Sequence, residues 1–224
     1  MDAKEAAARK AVEAIRDGMT IGLGSGSTAT YAIKAIAERI QSEGLAIHGV
    51  PTSLRSSELA RELGIPLLDL FDLGEIDLTI DGADEVDSAK NLIKGGGGAL
   101  LREKLVAAAS KQRIIICDET KLVSHLGEFP LPVAIVSFGW RTTLHRLREI
   151  CPELYLRSDK VNASLPFVSD DGLYIADLPM DVIADPAALQ ARLKSVTGVV
   201  EVGLFVGMVS RIIVGKEDGT TTEF

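Results

Sequence analysis

Over its first half this chain alternates short apolar runs with amphipathic helical stretches, and three of the apolar runs end in glycine- or acid-rich motifs. Residues 4–16 place Ala7, Ala11, Val12 and Ile15 on one helical stripe, 19–23 form a short buried strand, and 28–40 read as a helix burying Ala32, Ile33, Ile36 and Ile40. Strands are expected at 45–50 and 65–68, either side of a helix at 53–63 that Gly64 stops. Residues 75–80 alternate, with Ile76, Leu78 and Ile80 on one face. Residues 91–93 are strand-like, 98–110 helical, and 113–117 (Arg-Ile-Ile-Ile-Cys) an apolar strand. Parallel strands need crossover helices on their faces, so this alternation predicts a parallel sheet covered by helices. Ligand-binding groups in such a sheet gather at the carboxyl ends of the strands.

The pattern changes near residue 128, where Phe129-Pro-Leu-Pro132 punctuates the chain. Strands follow at 133–138, around 154–157, at 167–176 (with Asp170-Asp-Gly172 as a hairpin turn) and at 199–205, interspersed with helices at 141–150 and 186–195. A hairpin at 209–214 and 220–223, turning at Glu217-Asp-Gly219, is expected to return to the first domain. The predicted class is α/β: a Rossmann-like, mostly parallel sheet flanked by helices, with a smaller α+β domain of antiparallel sheet and helices. Residues 1–128 plus 206–224 are assigned to a catalytic α/β domain and 129–205 to the small domain, for oligomerisation or as a lid.

An apolar fraction of 46% is ample for a core, though aromatics are only 4% and aliphatic residues must do the packing. The net charge of −8 argues against a nucleic-acid surface, which needs basic groups to neutralise phosphates. Cys117 and Cys151 form no C-x-x-C pattern, so reduced thiols in a cytoplasmic protein are expected. The charged start, Met-Asp-Ala-Lys-Glu-Ala-Ala-Ala-Arg-Lys, is no signal peptide, and no run is long enough to span a bilayer.

The first motif is Gly22-Leu-Gly-Ser-Gly-Ser-Thr28, between a strand and a helix. Its glycines let the backbone approach a ligand closely, and the helix N-terminus turns free N–H groups towards an anion. Ser25, Ser27 and Thr28 add hydroxyls. The plain alternative is a βα turn with Ser27 or Thr28 as N-cap. No lysine follows Gly26, so this is not a Walker A loop. Gly24 to Ala29 does match G-x-G-x-x-A, but a dinucleotide fold wants an acid at the end of the next strand, and there the chain reads His48-Gly-Val-Pro-Thr-Ser53.

The second motif is Asp81-Gly-Ala-Asp-Glu85. Asp81 falls at a strand end, and Gly82 permits a sharp turn that re-aims Asp84 and Glu85. Bringing Asp81 and Asp84 together requires shared protons or nearby cations. The alternatives are a solvated acidic loop or a metal site, but this is not a calcium loop, and His48, His125 and His145 show no paired ligand spacing. In the third motif, Lys94 precedes four glycines that are entropically costly to order, and a helix then carries Glu103. That helix is expected to bury Leu101, Leu105 and Ala108, with Glu103 on the neighbouring stripe of Leu100 and Ala107. Lys121 follows the strand at 113–117 and brings a second cation to the same sheet edge. Taken singly, Glu103 complements a helix N-terminus and Lys94 is solvated; their coincidence with the other motifs favours function.

The three motifs, with Lys121-Leu-Val…Leu-Gly127, Phe129-Pro-Leu-Pro-Val133 and Gly198-Val-Val-Glu-Val-Gly-Leu-Phe205, make the chain resemble ribose-5-phosphate isomerase of type A through nearly its whole length. Ser25 stands where members often carry threonine. The residue pattern gives no metal site, and the resemblance implies interconversion of D-ribose 5-phosphate and D-ribulose 5-phosphate in the pentose phosphate pathway, no cofactor, and a homo-oligomer, usually a dimer or tetramer. It implies Glu103 as proton acceptor and Asp81 and Asp84 as active-site acids. It also implies substrate-binding positions at Lys94, Gly95, Gly96, Gly97 and Lys121, and a phosphate-side loop over Ser25, Gly26, Ser27 and Thr28. Gly82 and Ala83 join the substrate-binding set, and Lys4 matches a family lysine near the phosphate.

An aldose–ketose isomerase must remove a proton from C2, stabilise an enediolate and return the proton at C1. With no histidine in the motifs, a carboxylate is the available base, and Glu103 is the choice. Asp81 then moves protons on sugar hydroxyls, Lys94 stabilises the oxyanion, and Ser27, Thr28 and Lys121 anchor the phosphate. Two other readings compete: an amino-sugar-phosphate deaminase-like enzyme, and a sugar-phosphate-sensing domain without turnover. Such sensors normally carry a DNA-binding helix pair, for which the roughly 18 residues before the first strand are too few.

Overall fold

The computed structural model describes residues 2–224, and elements are numbered here along the chain. Packing divides it into two units. The first holds the described residues up to Ala83 together with Arg102–Leu122 and Met208–Phe224. Its sheet contains β1 (Thr20–Leu23), β2 (His48–Pro51), β3 (Ile76–Asp81), β6 (Ser110–Asp118), β12 (Arg211–Gly215) and β13 (Thr221–Glu223), in the order β13-β12-β6-β3-β1-β2. All neighbours pair in parallel except the β12–β13 hairpin, which is the expected tail. Ile21, Leu23, Leu78, Ile80, Ile114 and Ile116 from the strands pack with Ala7, Ala11 and Val12 of α1 (Ala3–Val12) and with Ile33 and Ile36 of α2 (Ser27–Glu43). Helix α3 (Leu54–Glu62) starts at Ser53, whose hydroxyl caps it by accepting from Ser56 N. Parallel strands bring their carboxyl ends to one edge, so Leu23, Asp81 and Asp118 end side by side in the first unit.

The second unit is Asp84–Leu101 with Val123–Gly207. A four-stranded antiparallel sheet has the order β10-β7-β9-β8, built from β7 (Leu131–Ile135), β8 (Tyr155–Leu156), β9 (Tyr174–Leu178) and β10 (Val199–Val202). Leu131, Val133, Ile135, Leu178 and Val202 pack with Leu144 and Leu147 of α5 (Trp140–Leu147) and Leu193 of α6 (Pro186–Lys194). A small antiparallel sheet, β11-β5-β4, joins β4 (Glu85–Val86), β5 (Leu92–Ile93) and β11 (Leu204–Phe205).

Several expectations change. The strand expected at 65–68 is a single parallel bridge, Gly49 to Leu67, because Pro66 has no N–H to extend a ladder. The run 199–205 is two strands in two sheets, separated at Gly203. A Cβ at Gly203 would lie 2.9 Å from Pro132 O and closer still to Lys94 O, so the chain passes there only as glycine. Segment 84–101 was expected with the catalytic domain, but it groups with the second unit because β4 and β5 pair with β11. Strand β3 alternates less than its sequence, since Thr79 and Asp81 are buried along with Ile76, Leu78 and Ile80, as suits a central strand.

Candidate active site

In the first unit the glycine loop leaves β1 and enters α2 at Ser27. Asp81, at the carboxyl end of β3, is only 2% exposed, and its Oδ1 accepts from Ser25 N (3.0 Å) and Gly82 N (2.7 Å). A Cβ on Gly24 would sit 2.6 Å from Asp81 Cα and inside contact with its carboxylate, so this approach of loop to acid needs a glycine. The Ser25 hydroxyl faces three others: Thr52 Oγ1 (2.8 Å), Ser53 Oγ (2.7 Å) and Ser56 Oγ (3.0 Å). Ser25 is therefore tied into the protein by its hydroxyl and its amide, whereas Gly26 and Ser27 are exposed.

Lys4 reaches this loop from α1, its Nζ donating to Ser27 Oγ (3.2 Å) and lying 4.0 Å from Asp118 Oδ2. An ammonium beside the N-terminus of α2 adds a full positive charge to the helix's partial one, an arrangement suited to an anion. Lys121 ends the 3-10 turn Glu119–Lys121 that follows β6 at the same sheet edge and is half-buried. An open cavity of about 690 Å³ also touches Lys4, but Asp2, Asp118, Glu119, Glu217 and Asp218 among its walls make it unsuited to phosphate, and the glycine loop does not line it.

Glu103 lies in the first turn of α4 (Leu100–Ala108) and is 6% exposed. This helix buries Leu100, Glu103, Val106 and Ala107, while Leu105 is 51% exposed and Ala108 is also exposed. The expected seam of Leu101, Leu105 and Ala108 is therefore the wrong stripe. Glu103 shares the inward stripe with apolar neighbours, an environment in which burying a carboxylate is costly.

In the second unit Asp84 Oδ2 accepts from Gly96 N (2.7 Å), so a second acid holds a second glycine loop. Gly98 N donates to Gly95 O (2.9 Å), folding that loop into a turn. Lys94 is 3% exposed; its N–H donates to Gly203 O (2.8 Å), and its Nζ lies 5.5 Å from the centre of the Phe205 ring. Gly97 is exposed, and Ala83, in the first unit, is half-buried. Glu85 is not solvated: its carboxylate accepts from Gly127 N (2.7 Å) and Phe129 N, pinning the chain after β4. Burial and the neighbouring Asp118 push the Cys117 thiol up to about 12, so it supplies no thiolate nucleophile. His48, His125 and His145 are all exposed. Among the described residues, no group of three or more His, Cys, Asp or Glu side chains is placed to hold a metal ion.

Thr52, Ser53 and Ser56 went unread in the sequence as site residues. Their signal was the Thr-Ser pair just after β2, with a hydroxyl three residues on, the pattern of a helix cap.

The geometry is that of an α/β protein whose strand ends present amide donors, ammonium groups and buried carboxylates. The family model for ribose 5-phosphate isomerase A (phosphoriboisomerase A) matches residues 48–219. Ribose-5-phosphate isomerase A of Cereibacter sphaeroides is 48% identical over 98% of this chain and 90% of its own length. The Bacillus mycoides protein of that name is 50% identical over 98% of each. The solved ribose 5-phosphate isomerase A of Methanocaldococcus jannaschii superimposes with a TM-score of 0.93 at 37% identity, over 100% of this chain and 99% of that one. A D-ribose-5-phosphate isomerase solved in complex with phospho-erythronic acid gives 0.94 at 36%, with the same coverage. The chain belongs to the ribose 5-phosphate isomerase A family.

Proposed function

We propose that Glu103 is the base with which this chain interconverts D-ribose 5-phosphate and D-ribulose 5-phosphate. The reaction follows from family membership: the chain is an aldose–ketose isomerase of the pentose phosphate pathway. In the open-chain aldose the C1 carbonyl acidifies the C2 proton. Glu103 takes that proton, leaving an enediolate over C1 and C2, and returns it to C1. The hydroxyl proton moves in the same sense, from O2 to O1, and Asp81 carries it. Lys94 offsets the negative charge that develops on the enediolate oxygens, and Asp84 is the second acid of the site. Gly82, Ala83, Gly95, Gly96 and Gly97 offer backbone groups to the sugar.

Gly26, Ser27 and Thr28 bind the phosphate with Lys121 and Lys4. The phosphate does not react, so its binding free energy serves to orient C1 and C2 against the base. Ser25 acts from behind, holding the loop through its hydroxyl cluster. The observation that most supports this assignment is the Asp81 carboxylate, which accepts amides from the phosphate-side loop and from its own strand end at once. One acid thereby couples anchoring to proton transfer.

Phospho-erythronic acid, bound by the solved relative, carries a planar carboxylate where an enediolate carries two oxygens. Purified protein should turn over ribose 5-phosphate, and phospho-erythronic acid should inhibit it competitively, raising KM without changing kcat. Absent turnover, or purely noncompetitive inhibition, contradicts the assignment.

We further infer a cytoplasmic homo-oligomer, a dimer or a tetramer, with the second unit serving oligomerisation or closure. No helix among the described residues is long and apolar enough to cross a membrane.

A further inference from the structure

Ordering four consecutive glycines requires fixed points, because each has more backbone freedom to lose than any other residue. In the second unit those points are two side chains acting on one peptide group. The Gly95–Gly96 peptide donates its N–H to Asp84 Oδ2 (2.7 Å) and offers its carbonyl, Gly95 O, to Nη1 of Arg157 (2.9 Å). The same Nη1 lies 3.1 Å from Gly96 O, so one guanidinium nitrogen spans two successive carbonyls.

Arg157 is itself held. Its Nε donates to Asp177 Oδ2 (2.8 Å) and its Nη2 to Asp177 Oδ1, a two-pronged ion pair whose side chains are 14% and 6% exposed. Its backbone N–H donates to Ile175 O (2.8 Å) and its carbonyl accepts from Phe167 N (2.8 Å). Its guanidinium carbon lies 5.8 Å from the centre of the Phe167 ring, which in turn packs on Gly98 at the end of the same loop. A buried ion pair is poor evidence of stabilisation, since desolvation offsets much of the attraction. Its geometry, however, aims three guanidinium nitrogens at set places, a task lysine's single ammonium cannot perform.

We propose that Arg157 is a positioning residue of the isomerisation: anchored by Asp177, it fixes the Gly95–Gly96 peptide plane and through it the orientation of the Asp84 carboxylate and the placement of Lys94. This rests on the assignment of Asp84 and Lys94 to the reacting site. Arg157 touches no substrate; it sets the angle from which Asp84 and Lys94 do. Neither its distance in sequence nor its residue type marks it, since 61 and 62 positions separate it from the two carbonyls.

The test is a kinetic cycle of Arg157→Lys, Asp84→Asn and the double variant, with the folded state of each checked by circular dichroism and thermal melting. Arg157→Lys should lower kcat about tenfold or more while KM for ribose 5-phosphate stays within about twofold, because the phosphate loop is untouched. The double variant should be slowed clearly less than the product of the two single effects, because the first change acts in part through the second. Unchanged kcat in folded Arg157→Lys overturns the proposal. So do multiplying effects in the double variant, which leave the Asp84 assignment standing. Unchanged kcat in Asp84→Asn removes Asp84 from the reaction, and the proposal with it. Should Arg157→Lys fail to fold, Asp177→Asn, which keeps the arginine but removes its aim, is read by the same two criteria.

Discussion

Asp81 and Asp84 stand three positions apart, and each takes a backbone amide from a different glycine loop. Their carboxylates thus shape the loops as well as supply acid groups. Substituting Gly24 tests the first grip. Gly24→Ala would drive a methyl into Asp81, and by the usual cost of overpacking should destabilise the fold by about 1–3 kcal/mol and lower kcat/KM at least ~100-fold. Wild-type kinetics in Gly24→Ala would show that the loop does not depend on that approach. Lys4, 3.2 Å from Ser27 Oγ, and Lys121 make a second prediction. Lys4→Ala and Lys121→Ala should each raise KM about tenfold with kcat changed less than about threefold, the pattern expected when anchoring is lost and the reacting centre is not. A fall in kcat alone would place these ammonium groups at the reacting carbons instead.

At the scale of elements, Asp77 ties three strands of the first sheet. Its carboxylate accepts from Thr20 N in β1 (2.9 Å) and from Lys111 Nζ in β6 (3.0 Å) while sitting in β3 itself. The Thr20 amide, and then the lysine, hold its carboxyl below the ordinary carboxylate value. A depressed carboxylate stabilises the fold above its unfolded-state value near 4 and loses that contribution as pH falls through the folded-state value. Asp77→Asn should therefore lower the melting temperature at pH 7 by an amount corresponding to about 1 kcal/mol or less, a third of the side chain being exposed, and the difference should shrink towards pH 3. A difference constant with pH would point to packing rather than charge.

The long elements were legible because their periodicity is strong. β1, β3, α2 and the tail hairpin all carry a repeating apolar face or a turn signal. β4 has two residues, too few to show any period, and although 91–93 and 199–205 read as strands, nothing local marked the pairing of β5 with β11 that draws 84–101 into the second unit. The side of α4 was misread for a different reason. Its apolar residues wrap the helix broadly, and the stripe that is buried includes a carboxylate, which an amphipathicity rule assigns to solvent. Arg157 and Asp177 lie 20 residues apart and joined no motif.

For the whole molecule, the glycine loop after β1, Asp81 and Lys121 were readable because each follows or ends a strand of the parallel sheet, whose carboxyl edge collects them whatever the loops between. Their grouping was not readable. Asp81 falls in the first unit and Asp84 in the second, a division that depends on pairing between β5 and β11, more than 100 residues apart. Activity is expected at full strength after exhaustive EDTA treatment. A loss restored by a divalent ion would assign the charge-stabilising role of Lys94 to a metal.

The most direct test follows the C2 proton. Ribose 5-phosphate deuterated at C2 is given to wild-type protein and to Glu103→Gln, loss of the label is followed by proton NMR, and sugar-phosphate affinity is measured by calorimetry on the same samples. Glu103→Gln should lose C2 exchange by at least ~1,000-fold while binding ribose 5-phosphate within about threefold of wild type, as expected when the base is gone and the anchoring groups remain. Exchange at near wild-type rate in Glu103→Gln would contradict the account, because some other group would then be taking the proton.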